Sequence, residues 1–250
     1  MVTAGTNFDG RAKVATNLPG RRYDHLFFSG LALLSLAIVF FGFARTYYLA
    51  GLFRAPLDGL IVHVHGAAFS SWILLLVVQT SLVAAGRVDV HRRIGIAGFI
   101  LACLLVVLGV LVNNHALVIQ ADSPGADMAF IYLLGLALML IFAVLTYFAF
   151  RFRSNPPAHK RLIIMATTAL LVAAILRLPL AIIHSAERAT WFSYSFLLTL
   201  VLYDLWSTHK LHRAMLAAGI FLIVIEQLVC AVGHGAQSQA FAGWMYSLLR

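Results

Sequence analysis

Charge is the first thing this sequence lacks. Only 11% of its 250 residues are charged, whereas 62% are hydrophobic, and mean hydropathy is +0.93. A soluble domain carries about 25% charged residues, so an ordinary water-soluble globule is excluded. Disordered tails and nucleic-acid binders built on a basic surface are excluded on the same ground. Cysteine is nearly absent: Cys103 and Cys230 alone provide neither a disulfide framework nor a Cys-rich zinc site. Lysine occurs only at positions 13, 160 and 210, none within a long apolar run. A retinal Schiff base of the rhodopsin kind is therefore excluded.

What the chain has is long apolar runs. A crossing needs about 20 mostly apolar residues, and seven segments approach that length: roughly 26–44, 60–85, 94–112, 128–150, 162–184, 190–204 and 214–234. The expected fold is an all-α integral membrane protein, a bundle of seven transmembrane helices. Residues 1–24 read as a polar, loosely ordered arm and 25–250 as one membrane domain. The first run starts too far in, and is too long, for a cleavable signal peptide.

Net charge is +9, from 18 Lys and Arg against 9 Asp and Glu. Thirteen of the cations fall in the N-terminal arm and the connections after segments two, four and six. Arg45, Arg54, Arg188 and Arg250 fall on the other side. This bias predicts a cytoplasmic N-terminus and a periplasmic C-terminus.

Ionisable residues within a crossing are costly and point to function. Arg177 and Glu226 lie inside segments five and seven, at similar distances from the outer end, and are expected to pair or share a pocket. His65, Trp72 and Gln79 follow at sevenfold spacing and share a helix face. His63 points away from it in an unbroken helix. Arg177 and His184 are seven apart, and Glu226, Cys230 and His234 follow at i, i+4, i+8. The outer half thus gathers His63, His65, His115, His184 and His234. Pro179 is a candidate kink beside Arg177. On the inner side, His91-Arg92-Arg93, His159-Lys160-Arg161 and His212-Arg213 each open an outward-running helix, and anionic headgroups account for them. Asp204 is expected to meet Lys210 or Arg213.

The stretch Ala44-Arg45 through His63-Val-His65-Gly, Phe69, Trp72, Gln79, Gly86-Arg87 and His91-Arg92-Arg93-Ile-Gly95 resembles a family of uncharacterised bacterial multi-pass inner-membrane proteins. Pro157-Ala-His159-Lys160-Arg161 and Tyr203-Asp204-Leu-Trp206 extend the likeness over about residues 40–245. It implies a topology and the bacterial inner membrane, and no activity. The layout is also similar to that of transmembrane b-type cytochromes, which hold haem between two His of different helices. Seven-span zinc hydrolases take zinc from a His pair in the last helix; here position 230, one turn before His234, is Cys230.

The leading expectation is a redox protein holding haem b or a transition metal in a periplasm-facing pocket. His65 and His184 are the first ligands, with His234 or His63 as substitutes and Trp72 and Gln79 lining the site. Arg177 and Glu226 position charge, and quinone or another membrane subunit is a candidate partner. The alternatives are an intramembrane zinc-dependent hydrolase, in which Glu226 and Arg177 act catalytically, and a non-enzymatic transporter or assembly subunit.

Overall fold

The structure, a computed structural model, describes residues 23–55, 59–119 and 127–250. Most of the expected polar arm lies outside them. The described residues form nine α-helices and no strand: α1 Asp24–Phe43, α2 Ala50–Phe53, α3 Gly59–Ala84, α4 Val88–Ile119, α5 Met128–Arg151, α6 Pro156–Ile175, α7 Ala186–Thr208, α8 Arg213–Val232 and α9 Ala236–Leu249. A π turn, Ala44–Tyr48, prolongs α1.

Local chemistry sets the helix starts. Asp127 caps α5 by accepting from the Phe130 N–H (3.0 Å), and Asn155 followed by two prolines opens α6. Ser185 caps α7. Gly86, at φ 71°, makes the tight turn from α3 to α4.

Six of these helices, α1 with its π turn, α3, α4, α5, α6 and α8, are long and apolar enough to cross a membrane, which marks a multi-pass membrane protein. Residue 190–204, the sixth expected segment, sits within α7, whose Glu187, Arg188, Asp204 and several hydroxyls keep it below that hydropathy. The outward surface is apolar: Leu33, Phe41, Ile100, Leu140, Leu202 and Ile220 are exposed, as lipid-facing side chains are.

The interior is built around α6. Fourteen of its twenty residues are buried, many of them Ala and Thr, whose small side chains let neighbouring helices approach. The helix α6 packs on α1, α5, α7 and α8, while α3 packs chiefly on α1 and α4. The expected span 162–184 ends early, because α6 stops at Ile175. Pro179 has no N–H to continue the ladder and biases Leu178 away from helix, so residues 176–185 form a connection.

Both ends of the bundle are fixed by polar contacts. At the Asp24 end meet the starts of α1, α4, α6 and α8 and the ends of α3, α5 and α7. At the His234 end meet the starts of α5 and α7 and the end of α8. Helix α7 therefore runs from one end to the other: Glu187 in its first turn reaches His234 (3.2 Å), and Asp204 near its last meets Arg161.

Candidate functional site

The histidines expected to converge do not. His63 is exposed and sits beside Tyr47, ring centroids 5.9 Å apart. His65 lies over Phe69 at 4.2 Å, with its Nδ1 buried and unpartnered. Helix α3 is unbroken from Gly59, so the two rings point apart, as their two-residue spacing requires. His184 is exposed in the connection before α7, and His234 is held by α5 and α7. Among the described residues, no three His, Cys, Asp or Glu side chains are placed to hold a metal ion.

Arg177 and Glu226 do not pair. With α6 ended at Ile175, Arg177 lies in the connection, donates to the Ala173 carbonyl (2.8 Å) and rests over the Phe43 ring at 4.9 Å. Glu226 is fully buried on the face of α8 that carries Met215, Ala218, Gly219 and Leu222. Trp72 is a packing residue: its Nε1 donates to Thr167 (3.2 Å) and its ring meets Phe142 edge-on.

Gln79 turns up elsewhere. In the amide orientation that satisfies its neighbours, its nitrogen donates to Nδ1 and the carbonyl of His91 (2.7 and 3.3 Å), and its oxygen accepts from the Gly95 N–H (3.0 Å). The His91 and His159 rings are perpendicular, with centroids 6.2 Å apart. His159 Nδ1 donates to the Ala149 carbonyl (2.8 Å), which leaves its Nε2 as the lone-pair nitrogen.

Most of the polar structure gathers at the Asp24 end. Arg161 Nε donates to both oxygens of Asp204 (2.9 and 3.1 Å), and its Nη2 makes a further contact with Oδ1. The Asp204 residue is 0% exposed. Asp204 Oδ2 also accepts the His212 N–H (3.1 Å). The expected partners Lys210 and Arg213 are therefore displaced by Arg161, which α6 carries into the interior. Next to this pair, Lys160 Nζ donates to Asp24 (2.5 Å) and lies over the Phe28 ring. Tyr203 donates to the same carboxylate (2.7 Å) and stacks on Phe27.

Beside this cluster lies a cleft of about 760 Å³. Asp24, Lys160, Arg161, Lys210, His212 and Arg213 line it, together with Asn155 and Pro157 at the start of α6. The cations divide into two kinds. Lys160 and Arg161 are committed to carboxylates, whereas Lys210 and Arg213 are exposed and form no ion pair among the described residues. Helices α6 and α8 start beside the cleft and α5 and α7 end beside it, so the helix dipoles offset and the side-chain cations set its positive potential.

At the opposite end His234 stands between two carboxylates. Its Nδ1 meets Asp127 at 2.6 Å and its Nε2 meets Glu187 at 3.2 Å. Phe130 stacks on the ring, and Gln239 donates to Asp127 (3.1 Å). The hydrogen bond to Asp127 holds the imidazole above its ordinary pKa, and the charges of Asp127 and Glu187 add to it. Desolvation alone would raise the Asp127 carboxyl. The hydrogen bonds from Phe130, His234 and Gln239 outweigh it, so its pKa lies below the ordinary value.

A raised His stabilises below its unfolded pKa and is lost as pH climbs through the folded value; a depressed Asp stabilises above its unfolded pKa and is lost as pH falls through the folded value. The pair therefore contributes most between about pH 4 and pH 6.5. Melting temperatures of the wild type and of His234→Ala should differ most in that window and approach each other as pH rises through the folded His234 value. A difference that is constant with pH would show that the contact is not ionic.

Asp127, Glu187 and Gln239 had no motif to announce them. Only the Asp immediately before an apolar run gave a sign, and that sign reads as a helix cap. No protein-family model matches this chain, and no curated protein or solved structure matches it either.

Proposed function

We propose that this chain is a seven-crossing protein of the bacterial inner membrane that binds a phosphate-bearing anion in the cleft at its cytoplasmic, Asp24 end. The seventh crossing is α7. Its 23 residues span about 34 Å at 1.5 Å per residue, and its ends meet polar partners at opposite ends of the bundle. Trp191 and Trp206, exposed near either end of α7, suit the two headgroup levels. The distribution of Lys and Arg favours a cytoplasmic Asp24 end.

The observation that carries the anion reading is the unpaired state of Lys210 and Arg213 among the described residues, at a cleft whose lining carboxylate, Asp24, is already held by Lys160. An anion neutralises both, and backbone and side-chain donors at helix starts are suited to phosphate oxygens. Lys160 and Arg161, locked by Asp24 and Asp204, form a fixed wall and keep the cleft open. Basic pockets between helices on the cytoplasmic side take lipid headgroups, and the same chemistry accepts free phosphate.

Each cation near the membrane surface contributes about 1 kcal/mol. Lys210→Ala with Arg213→Ala should therefore weaken binding of phosphatidylglycerol in nanodiscs roughly thirtyfold, while Arg87→Ala leaves it unchanged. Inorganic phosphate, titrated separately, tells a free-anion site from a headgroup site. Unchanged affinity for both probes in the double variant would overturn the reading.

The haem or transition-metal reading has one specific support, and it lies at the inner pair rather than the outer histidines. With metal–nitrogen bonds of about 2.0–2.1 Å, two imidazoles flanking one ion place their centroids about 6 Å apart, near the separation of His91 and His159. If His91 and His159 held an ion, each would do so through Nε2, with His91 carrying its proton on Nδ1 toward the Gln79 amide. A Soret band in detergent-purified protein, lost in His159→Ala and retained in His184→Ala, is the expected result. Absence of haem and stoichiometric metal from protein purified after growth with both would remove it.

A further inference from the structure

Glu226 has no role in either reading, and its surroundings are unusual. The residue is 0% exposed, and among the described residues the Tyr194 hydroxyl is the one hydrogen-bonding side chain near its carboxyl, whose oxygens lie outside close hydrogen-bond geometry. An ionised carboxylate in that state costs several kcal/mol, and no cation faces it. Helix α6 offers no titratable group from Leu162 to Ile175. Helix α5 carries Tyr132 and Tyr147 between Met128 and Arg151; the Tyr132 hydroxyl donates to Asn114 (2.9 Å), and Tyr147 is exposed near the other end of the helix. From α7 the Tyr194 hydroxyl lies beside Glu226, and it accepts from the Gln227 amide (2.9 Å). On α8 itself, Cys230 follows one turn later.

Toward the His234 end the titratable groups continue. Cys230 lies within electrostatic reach of both Glu226 and Glu187. Glu187 meets His234, and His234 meets Asp127, with all three side chains between 31% and 49% exposed. A line of ionisable groups thus leads from a partly exposed carboxylate–imidazole–carboxylate cluster to a sealed carboxyl about 12 Å further in along α8, at 1.5 Å per residue. A hard metal cation needs about six oxygen ligands, and Glu226 with Tyr194 and Gln227 supplies far fewer. A proton needs one.

We propose that Glu226 is a proton-binding site inside the bundle, loaded from the His234 end through the Asp127–His234–Glu187 cluster and Cys230. The inference is independent of the anion cleft, which lies at the other end. Glu226 carries its proton as a neutral carboxylic acid when loaded. The cluster at the mouth collects protons because His234 is held between two carboxylates that favour its charged form.

A hydrophobic carbodiimide tests this on the intact protein in vesicles. The protonated carboxyl adds across one N=C bond: its oxygen bonds to the central carbon, its proton goes to nitrogen, and the O-acylisourea rearranges to a stable N-acylurea with no atom lost. Mass spectrometry of the peptide containing residue 226 reads the adduct. The expected result is an adduct on Glu226 that falls at least about tenfold between pH 5 and pH 9, as the protonated fraction falls. It should persist in Glu226→Asp and disappear in Glu226→Gln. A water-soluble carbodiimide should label Asp127 or Glu187 and spare Glu226. After a jump to high pH, loss of reactivity should be slower in His234→Ala with Glu187→Gln than in the wild type. The proposal is overturned if folded wild type gives no adduct at Glu226, if labelling is constant with pH, or if the water-soluble reagent labels Glu226 equally. Equal rates in the double variant would overturn the route.

Discussion

Asp204→Ala is expected to destabilise the protein by about 3–5 kcal/mol, because it strands the Arg161 guanidinium in the interior. Arg161 and Asp204 side chains are 5% and 0% exposed, so the charge left when its partner is removed has little access to water; Arg161 keeps the Pro157 carbonyl (2.7 Å) and an edge on the cleft. Arg161→Ala should cost a similar amount by stranding the carboxylate. The double variant Arg161→Met with Asp204→Leu separates the value of the pair from the penalty of breaking it. Apolar replacement of a buried pair is often neutral, so most of the loss should be recovered. Recovery should be incomplete, because Asp204 Oδ2 also accepts the His212 N–H, and an unpaired buried N–H costs about 1–3 kcal/mol. Reversible unfolding in mixed micelles measures all three. Single variants within about 1 kcal/mol of wild type would mean that water reaches the pair.

The contrast with the second ion pair of this end is informative. Lys160 and Asp24 are 23% and 34% exposed, so Asp24→Ala leaves a lysine that can reach solvent or the cleft. Its effect should be far smaller than that of Asp204→Ala. Arg161–Asp204 thus fastens α6 to α7 and, through His212, to the start of α8. It fixes the wall against which Lys210 and Arg213 stand free.

Hydropathy made the helices legible, and it was silent about what joins them. Six expected segments match long helices, because a run of some 20 apolar residues has few alternatives in a bilayer. The failure at 162–184 came from treating Pro179 as a kink, whereas it ends the helix region and turns Arg177 out of the interior. That one boundary undid the expected Arg177–Glu226 pocket. Glu226, Asp204 and Arg161 fall on the expected helices, but position along a helix does not give azimuth, and Arg161, expected to meet headgroups, turns inward to Asp204. Which carboxylate meets which cation depends on how α6, α7 and α8 are rotated, and the packing of small residues decides that. Positive-inside counting also absorbed Lys160, Arg161, Lys210 and Arg213 as one class. Only the structure separates the two that are spent on carboxylates from the two that are free.

Glycine provides the other large effect, with opposite signs on one helix. Gly42, near the end of α1, is buried where α1 crosses α6, and a Cβ built there collides with the backbone carbonyl of Ala174. A backbone carbonyl within a central helix cannot swing aside as a side-chain tip can. Gly42→Ala must push α1 from α6, and overpacking of this kind costs about 1–3 kcal/mol. The gain in helix propensity from Gly to Ala, about 0.5–1 kcal/mol, offsets only part of that. Gly30, three turns earlier on the same helix, is exposed, and a Cβ there meets nothing within 4 Å. Gly30→Ala should therefore stabilise by about 0.5–1 kcal/mol. Thermal melts of the two variants in one detergent should move in opposite directions. Equal shifts would show that α1 does not approach α6 at Gly42. Because α1 also carries Asp24, any displacement of α1 should loosen the Lys160 contact at the far end. A Gly42→Leu variant should accordingly weaken phosphatidylglycerol binding at the cleft as well as lower the melting temperature, although residue 42 lies at the opposite end of the helix.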